Sequence, residues 1–351
     1  MKNIILILLF LSVNCFAVSS GTFTVAETGG NYTSIVSAEA GLQGNLIAPV
    51  TIYIQGSWTN PDYVGFGCTI NGWTTYTTAY LLITATGTAR HRGVWDNTKY
   101  RIINKSGTQG EPFLIDNYEE NVRIDGLQLT FETTGTVTYA IRGDGSLGTN
   151  KNFQLSNCIL KANPVHSDVR DVALIHAFTT NSSFKIWNNI FYGWTETINT
   201  GFGTGNTTYY FYNNTIGTAT VFGIYNASSD TGWQLRMKNN IITKNTQGYF
   251  FEGGLPIRIS TDSNVSGYAT SPNINYRNQT PSFISSTTDF HLLSSDTTAY
   301  KRGVSVTAEF PERTTDIDGD IIVNNSIGAD DGVVTAVSTA RRRVRKTLQL
   351  E

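Results

Sequence analysis

Five stretches of this chain align on one another without a gap, and that repeat limits the possible folds more than any other feature. They are Val122–Leu129, Phe153–Leu160, Phe184–Phe191, Tyr209–Ile216 and Leu235–Ile242. Each begins apolar at its first and third positions, the period of a strand with one buried face. The fifth position is then Gly126, Asn157, Asn188, Asn213 or Asn239. Glycine and asparagine enter left-handed backbone most cheaply. A column holding only those two types predicts the same tight bend in every repeat. Position eight is Leu129, Leu160, Phe191, Ile216 or Ile242, so the chain turns an apolar side inward again after the bend.

The bend residues are spaced 31, 31, 25 and 26 residues apart. That is too long for a hairpin meander, and no helical crossover fits between the blocks. Strands that always bend the same way at this spacing stack as coils of a solenoid. Each coil pairs in parallel with the next at ~4.8 Å and buries a core that no single coil could make. The sixth positions then place Asn189, Asn214 and Asn240 inside, one above another, with Cys158 and Leu127 continuing the column. Such a stack satisfies buried amides by bonding side chain to side chain and to the bend backbone. Cys158 is thereby expected to be a core thiol.

Composition agrees. Charged residues are 15%, glycine numbers 33 and methionine only 2 among 351 residues, a mixture that favours strands and turns over helix. Lys+Arg number 25 against 27 Asp+Glu, which argues against electrostatic nucleic-acid binding. Met1-Lys2-Asn3, the apolar run Ile4–Val13 and Ala17 read as a signal peptide over 1–17, shorter than the ~20 residues of a membrane-spanning helix. A secreted or cell-surface protein is expected. No Cys/His spacing suggests zinc.

The strand, Asn-Asn bend, strand signature resembles the right-handed parallel β-helix proteins of the pectin-lyase-like superfamily. The resemblance reaches both ends of the chain. Gly29–Ala40 looks like the short helix that plugs the first coil in a bacterial and phage-associated group of unassigned activity, and Ile35, Ala38 and Leu42 share one helical face. Ala89–Arg101 is similar to a segment preceding that group's regular coils. Asp289–Leu293, Thr315–Gly319 and Ser326–Asp330 resemble its closing segment. The fold class expected is all-β, a three-sheet solenoid. Its divisions are the signal peptide, a cap with the first coils over 18–110, regular coils over 111–270, a closing segment over 271–334 and a basic, solvated tail over 335–351.

A third strand per coil lies upstream of the blocks. Aligning Phe113–Asp116, Tyr139–Arg142, Ala173–His176, Glu196–Asn199, Phe222–Tyr225 and Tyr249–Glu252 gives an outward column of Asp116, Arg142, His176, Asn199, Tyr225 and Glu252. In sugar-active members of the superfamily the substrate groove lies along the corresponding sheet. The loop Asn163–Asp171 would overhang it with His166, Asp168, Arg170 and Asp171. For a lyase, Arg142 or Arg170 would neutralise a uronate and His176 or Tyr225 would act as base. For a glycosidase, Asp168 or Asp171 would pair with Glu252. The catalytic candidates are therefore His176, Arg142, Asp171 and Arg170. The substrate-binding candidates are His166, Asp168, Asn199, Tyr225, Glu252 and Asp116.

The blocks also carry an outward stripe, Arg123, Gln154, Lys185, Tyr210 and Arg236 beside Asp125, Ser156, Trp187, Tyr212 and Lys238. Basic groups among aromatics suit an acidic glycan, with Trp187 and Tyr212 as stacking platforms, but they suit a stabilised sheet surface better. Asp316–Asp320 mimics the start of a calcium loop, but Ile321 stands where its glycine belongs and Ile327 where its glutamate belongs, so no cofactor is expected beyond that hint of Ca²⁺. The functional expectation is an exported protein that binds an acidic polysaccharide, with cleavage as a lyase or glycosidase left open. The alternative is a non-catalytic adhesin or virion-associated structural element.

Overall fold

At every bend the backbone is left-handed, with φ of +74° at Gly126, +52° at Asn157, +55° at Asn188, +56° at Asn213 and +57° at Asn239. The structure, a computed structural model, describes residues 19–65, 67–105, 113–132, 139–144, 152–162, 172–177, 181–202, 206–218, 221–226, 233–243, 247–251, 258–267, 269 and 271–332. The signal peptide, the basic tail and the 163–171 loop read from the sequence lie outside these residues.

Three parallel sheets make a β-solenoid. The first has nine strands, from Gly21–Val25 through the aligned blocks to Arg258–Asp262. The second has seven, from Cys68–Ile70 to Gln247–Phe251, and the third eight, from Asp62–Val64 to Val265–Ser266. Along each coil a second-sheet strand leads into the first sheet, the bend turns the chain, and a third-sheet strand follows. The first-sheet register matches the sequence alignment: Val122, Phe153, Phe184, Tyr209 and Leu235 stand opposite one another in turn. These residues all turn into the core.

The inner asparagines form the expected ladder, and it continues further than the repeat suggested. Asn189 Oδ1 accepts the Cys158 N–H, Asn214 Oδ1 the Asn189 N–H, Asn240 Oδ1 the Asn214 N–H, and Asn264 Oδ1 the Asn240 N–H, at 2.9–3.1 Å. Asn273 closes the series on Asn264. Each Nδ2 donates upward to the next amide and back to a carbonyl, as Asn214 does to Ile186 at 2.8 Å. A buried amide is costly unless paired, and here each rung pairs the next. Cys158 is buried, accepts the Leu127 N–H on Sγ, and burial pushes its thiol up to about 12. It is a core residue.

Helix α1 (Ile35–Leu42) seals the first coil. Ser34 and Ser37 close a reciprocal capping box at its start, and Ile35, Ala38 and Leu42 are buried. The Ile35 N–H, which an isolated helix would leave orphaned, donates to Asp62 of the third sheet at 2.7 Å. Glu39 ties the other end of the helix to the second coil, accepting from Asn71 N and from Trp73 Nε1.

The closing segment does more than end the stack. Phe283–Ser285 pairs antiparallel with Asp289–Leu292, and Asp289 bridges Val94 of the Ala89–Arg101 segment. Trp95 from that segment packs with Tyr192, Phe290 and Ile317. Two regions almost two hundred residues apart thus share one small core on the flank of the solenoid.

Candidate functional site

The second sheet carries the column in which a groove was expected, but its register differs from the sequence alignment. Arg142 stands opposite Asp116 on one side and Ile175 on the other; Ile175 faces Asn199, Asn199 faces Tyr225, and Tyr225 faces Phe250. His176 pairs with Gly143 instead, one position out of the row, and a bulge follows between Ile175 and Ala177. The row therefore reads Asp116, Arg142, Ile175, Asn199, Tyr225, Phe250. Glu252 lies outside the described residues, as do His166, Asp168, Arg170 and Asp171, and so does the side chain of His176.

What the row brings together is chemically specific. The Arg142 guanidinium donates to Asp116 Oδ2 at 2.5 Å, and the Asp116 side chain is 1% exposed against 21% for Arg142. Asn199 is 8% exposed and donates from Nδ2 to Glu196 Oε2 at 3.0 Å. Burial raises the Glu196 carboxyl above the ordinary range, against the hydrogen bond from Asn199. One coil on, the rings of Phe222 and Tyr225 stack at 4.9 Å. Two consecutive coils thus repeat the same geometry, in which a strand's first and fourth residues meet. Glu196 was not singled out from the sequence. The signal was its place three residues before Asn199, equivalent by register to Phe222 before Tyr225.

The first-sheet stripe has the register read from the sequence but not the exposure. Trp187 and Tyr212 are buried, covered by Phe310 of the closing segment at ring distances of 5.4 and 4.7 Å. Lys238 pairs with Glu309 at 2.5 Å and Lys185 with Glu312 at 3.0 Å, while the Tyr212 hydroxyl donates to Glu309. An acid, aromatic, acid sequence of the chain itself occupies the basic-aromatic surface. The expectation of stacking platforms open to a glycan is corrected for these two rings.

A third cluster lies where the closing segment meets the Ala89–Arg101 segment. His291 is bonded through Nδ1 to Asp289 at 2.5 Å and through Nε2 to Asp318 at 2.9 Å. Against burial, those two carboxylates raise the imidazole to about 11. Burial and the nearby Asp318 and Asp330 raise Asp316 to about 8, and burial raises Asp330 to about 7. His91 is buried beside them with its pKa pushed down to about 3, chiefly by burial and then by Arg90. Arg313 lies buried among these groups and donates from Nε to Asn188. His291, Asp318 and Asp330 lie close enough together to hold a cation. However, Asp316 Oδ1 already accepts the N–H groups of Asp318 and Asp320, and its Oδ2 that of Asp331. The loop that mimics a calcium motif directs the oxygens of its first aspartate at its own backbone.

Among the described residues no helix is long and apolar enough to cross a membrane. Compared with known proteins, the chain matches no family model and no curated protein.

Proposed function

We propose that the chain is an exported β-solenoid of the pectin-lyase-like kind that binds an acidic polysaccharide across its second sheet. The observation that supports this is the row Arg142, Asn199, Tyr225. Parallel coils repeat at ~4.8 Å, so Arg142 and Asn199, two coils apart, span about 10 Å, and Tyr225 lies one coil further. That spacing suits a cation, an amide and an aromatic ring to successive parts of one extended sugar chain. Asp116 fixes the guanidinium in place, and Phe222 fixes the ring of Tyr225. Export rests on the apolar leader at residues 4–13. Cleavage would need an acid or base from Glu196, His176 or the 163–171 loop.

The second reading is a non-catalytic adhesin or spike element in which the solenoid is a rigid spacer. The low exposure of Asp116 and Asn199 favours it.

The test is a panel of uronate-containing and neutral polysaccharides. Binding is followed by affinity electrophoresis, elimination by ultraviolet absorbance and hydrolysis by new reducing ends. Asn199→Ala and Tyr225→Ala are expected to weaken binding of an acidic glycan, and Arg142→Lys to weaken it less. A wild type that binds no member of the panel leaves the spacer reading standing.

A further inference from the structure

We infer that Asn71–Gly72 is a self-modifying site, at which the chain converts asparagine to aspartate or isoaspartate and loosens its own N-terminal plug. It is the one Asn-Gly pair in the sequence, and it sits on an exposed bend just after the second-sheet strand Cys68–Ile70.

Three features favour the reaction there. Gly72 has φ of +82°, a conformation glycine holds without strain. Its N–H points at the Asn71 side chain and donates to Oδ1 at 2.8 Å, so the attacking nitrogen is already beside the carboxamide. The Asn71 Nδ2, which must leave, has no hydrogen-bond partner among the described residues. The ladder asparagines differ on this last point: Nδ2 of Asn189, Asn214 and Asn240 each donates to a carbonyl inside the core.

The chemistry balances with water as the only co-reactant. A solvent base takes the Gly72 amide proton, and the nitrogen attacks Asn71 Cγ. The Cγ–Nδ2 bond breaks, the nitrogen leaving as ammonia, and a five-membered succinimide remains. Water then opens either carbonyl of the ring. One opening gives aspartate. The other gives isoaspartate, with an extra carbon in the main chain.

Position determines the consequence. The Asn71 N–H donates to Glu39 Oε1 at 3.1 Å, and that carboxylate also holds Trp73 Nε1 and the Gln43 side chain at the end of helix α1. On the other side the Trp73 N–H donates to Glu119 at 2.9 Å. A new negative charge beside Glu39 opposes the existing one, and the isoaspartyl link lengthens the bend between these two staples.

The experiment incubates the folded full-length chain at mildly alkaline pH in heavy-oxygen water, then maps peptides by mass. Oxygen incorporation is expected at position 71 and not at Asn189, Asn214 or Asn240, with Asn71→Gln remaining unmodified. Modification at position 71 slower in the folded chain than in the same chain held in urea would overturn the inference that the fold promotes it. Modified and unmodified fractions, separated by charge, are then digested with a protease. Faster cleavage between residues 19 and 65 in the modified fraction supports loosening of the plug; equal rates overturn that part. Asn71→Asp, which reproduces the charge without the longer backbone, is expected to show part of the effect.

Discussion

Asn239 trades two hydrogen bonds with Val304, 65 residues downstream: its Nδ2 donates to the Val304 carbonyl at 2.7 Å and its Oδ1 accepts the Val304 N–H at 2.9 Å. A side-chain amide here copies the donor and acceptor of a backbone strand partner. Two other bend asparagines act similarly. Asn188 Nδ2 donates to the Thr315 carbonyl at 2.7 Å and Asn213 Nδ2 to that of Ser326 at 2.9 Å. The column that bends the coils is also the surface on which the closing segment docks. Asn239→Gly keeps the left-handed bend and deletes the docking bonds. It is expected to cost ~1–3 kcal/mol and to speed proteolysis within 296–332 while the coils stay folded. Proteolysis at the wild-type rate would show that the docking bonds contribute nothing.

Asn214 is a middle rung of the inner ladder. Asn214→Leu leaves the Asn189 N–H and Nδ2 without their Oδ1 acceptor and removes the side-chain donor to Asn240 Oδ1, which keeps only the backbone N–H of position 214. Orphaned buried groups cost ~1–3 kcal/mol each, so a clear drop in urea midpoint is expected. An unchanged midpoint would sink the ladder as a stabilising device.

Gly93 has φ of +71°, and a Cβ there would stand 2.4 Å from Asp318 Oδ1 and 2.5 Å from His291 Nε2. Gly93→Ala therefore combines backbone strain with a clash at the His291–Asp318 bond. The expected loss is ~1–3 kcal/mol or more in chemical denaturation. Asp289→Asn should partly reproduce it, since it weakens the same histidine's other partner.

Stability should fall as pH rises from 3.8 upward. Asp316 and Asp330 have folded pKa values raised to about 8 and about 7 from 3.8, so the stability they contribute when protonated is lost as pH rises through those values. His291, raised from 6.5 to about 11, loses its contribution in the same direction over a higher range. His91 works oppositely: its pKa falls from 6.5 to about 3, so stability is lost as pH drops below 6.5. Below 6.5 the two aspartates outweigh the one histidine, so a melting temperature that declines from mildly acidic to alkaline pH is expected. Asp316→Asn should flatten the decline below about pH 8 and leave the His291 limb above it. A wild-type profile flat from neutral to alkaline pH would contradict the assignment.

Chelator should leave that profile unchanged, because a protonated His291 engages Asp318 Oδ1 and Asp330 accepts the N–H groups of Leu292 and Gly332. A calcium-dependent rise in melting temperature, lost in Asp318→Asn, would place a cation in the cluster after all.

The bends of the five aligned blocks were legible because left-handed backbone favours asparagine and glycine; the next bend, Ser263 at φ of +51°, breaks that rule. The register of the second sheet was not. Leu174 and Ile175 are adjacent and both apolar, so periodicity alone cannot say which turns inward, and the bulge beyond Ile175 hides the answer. Tyr249, Phe250 and Phe251 raise the same ambiguity one end further along. Burial of Trp187 and Tyr212 was illegible for a different reason: the residue that covers them, Phe310, lies roughly a hundred positions away in a segment without repeat. Local pattern carries information about what a strand does, and very little about what later lies on top of it.

The docking bonds of the closing segment have an evolutionary corollary. A bare solenoid tolerates gain or loss of a coil, since each coil contacts only its neighbours. Here Val304, Thr315 and Ser326 must each land on a particular bend asparagine, and the bends recur at ~4.8 Å. Deleting or duplicating one coil between Asn188 and Asn239 would put that spacing out of step with a peptide whose length is fixed. The closing segment acts as a gauge, and it holds the number of coils beneath it constant.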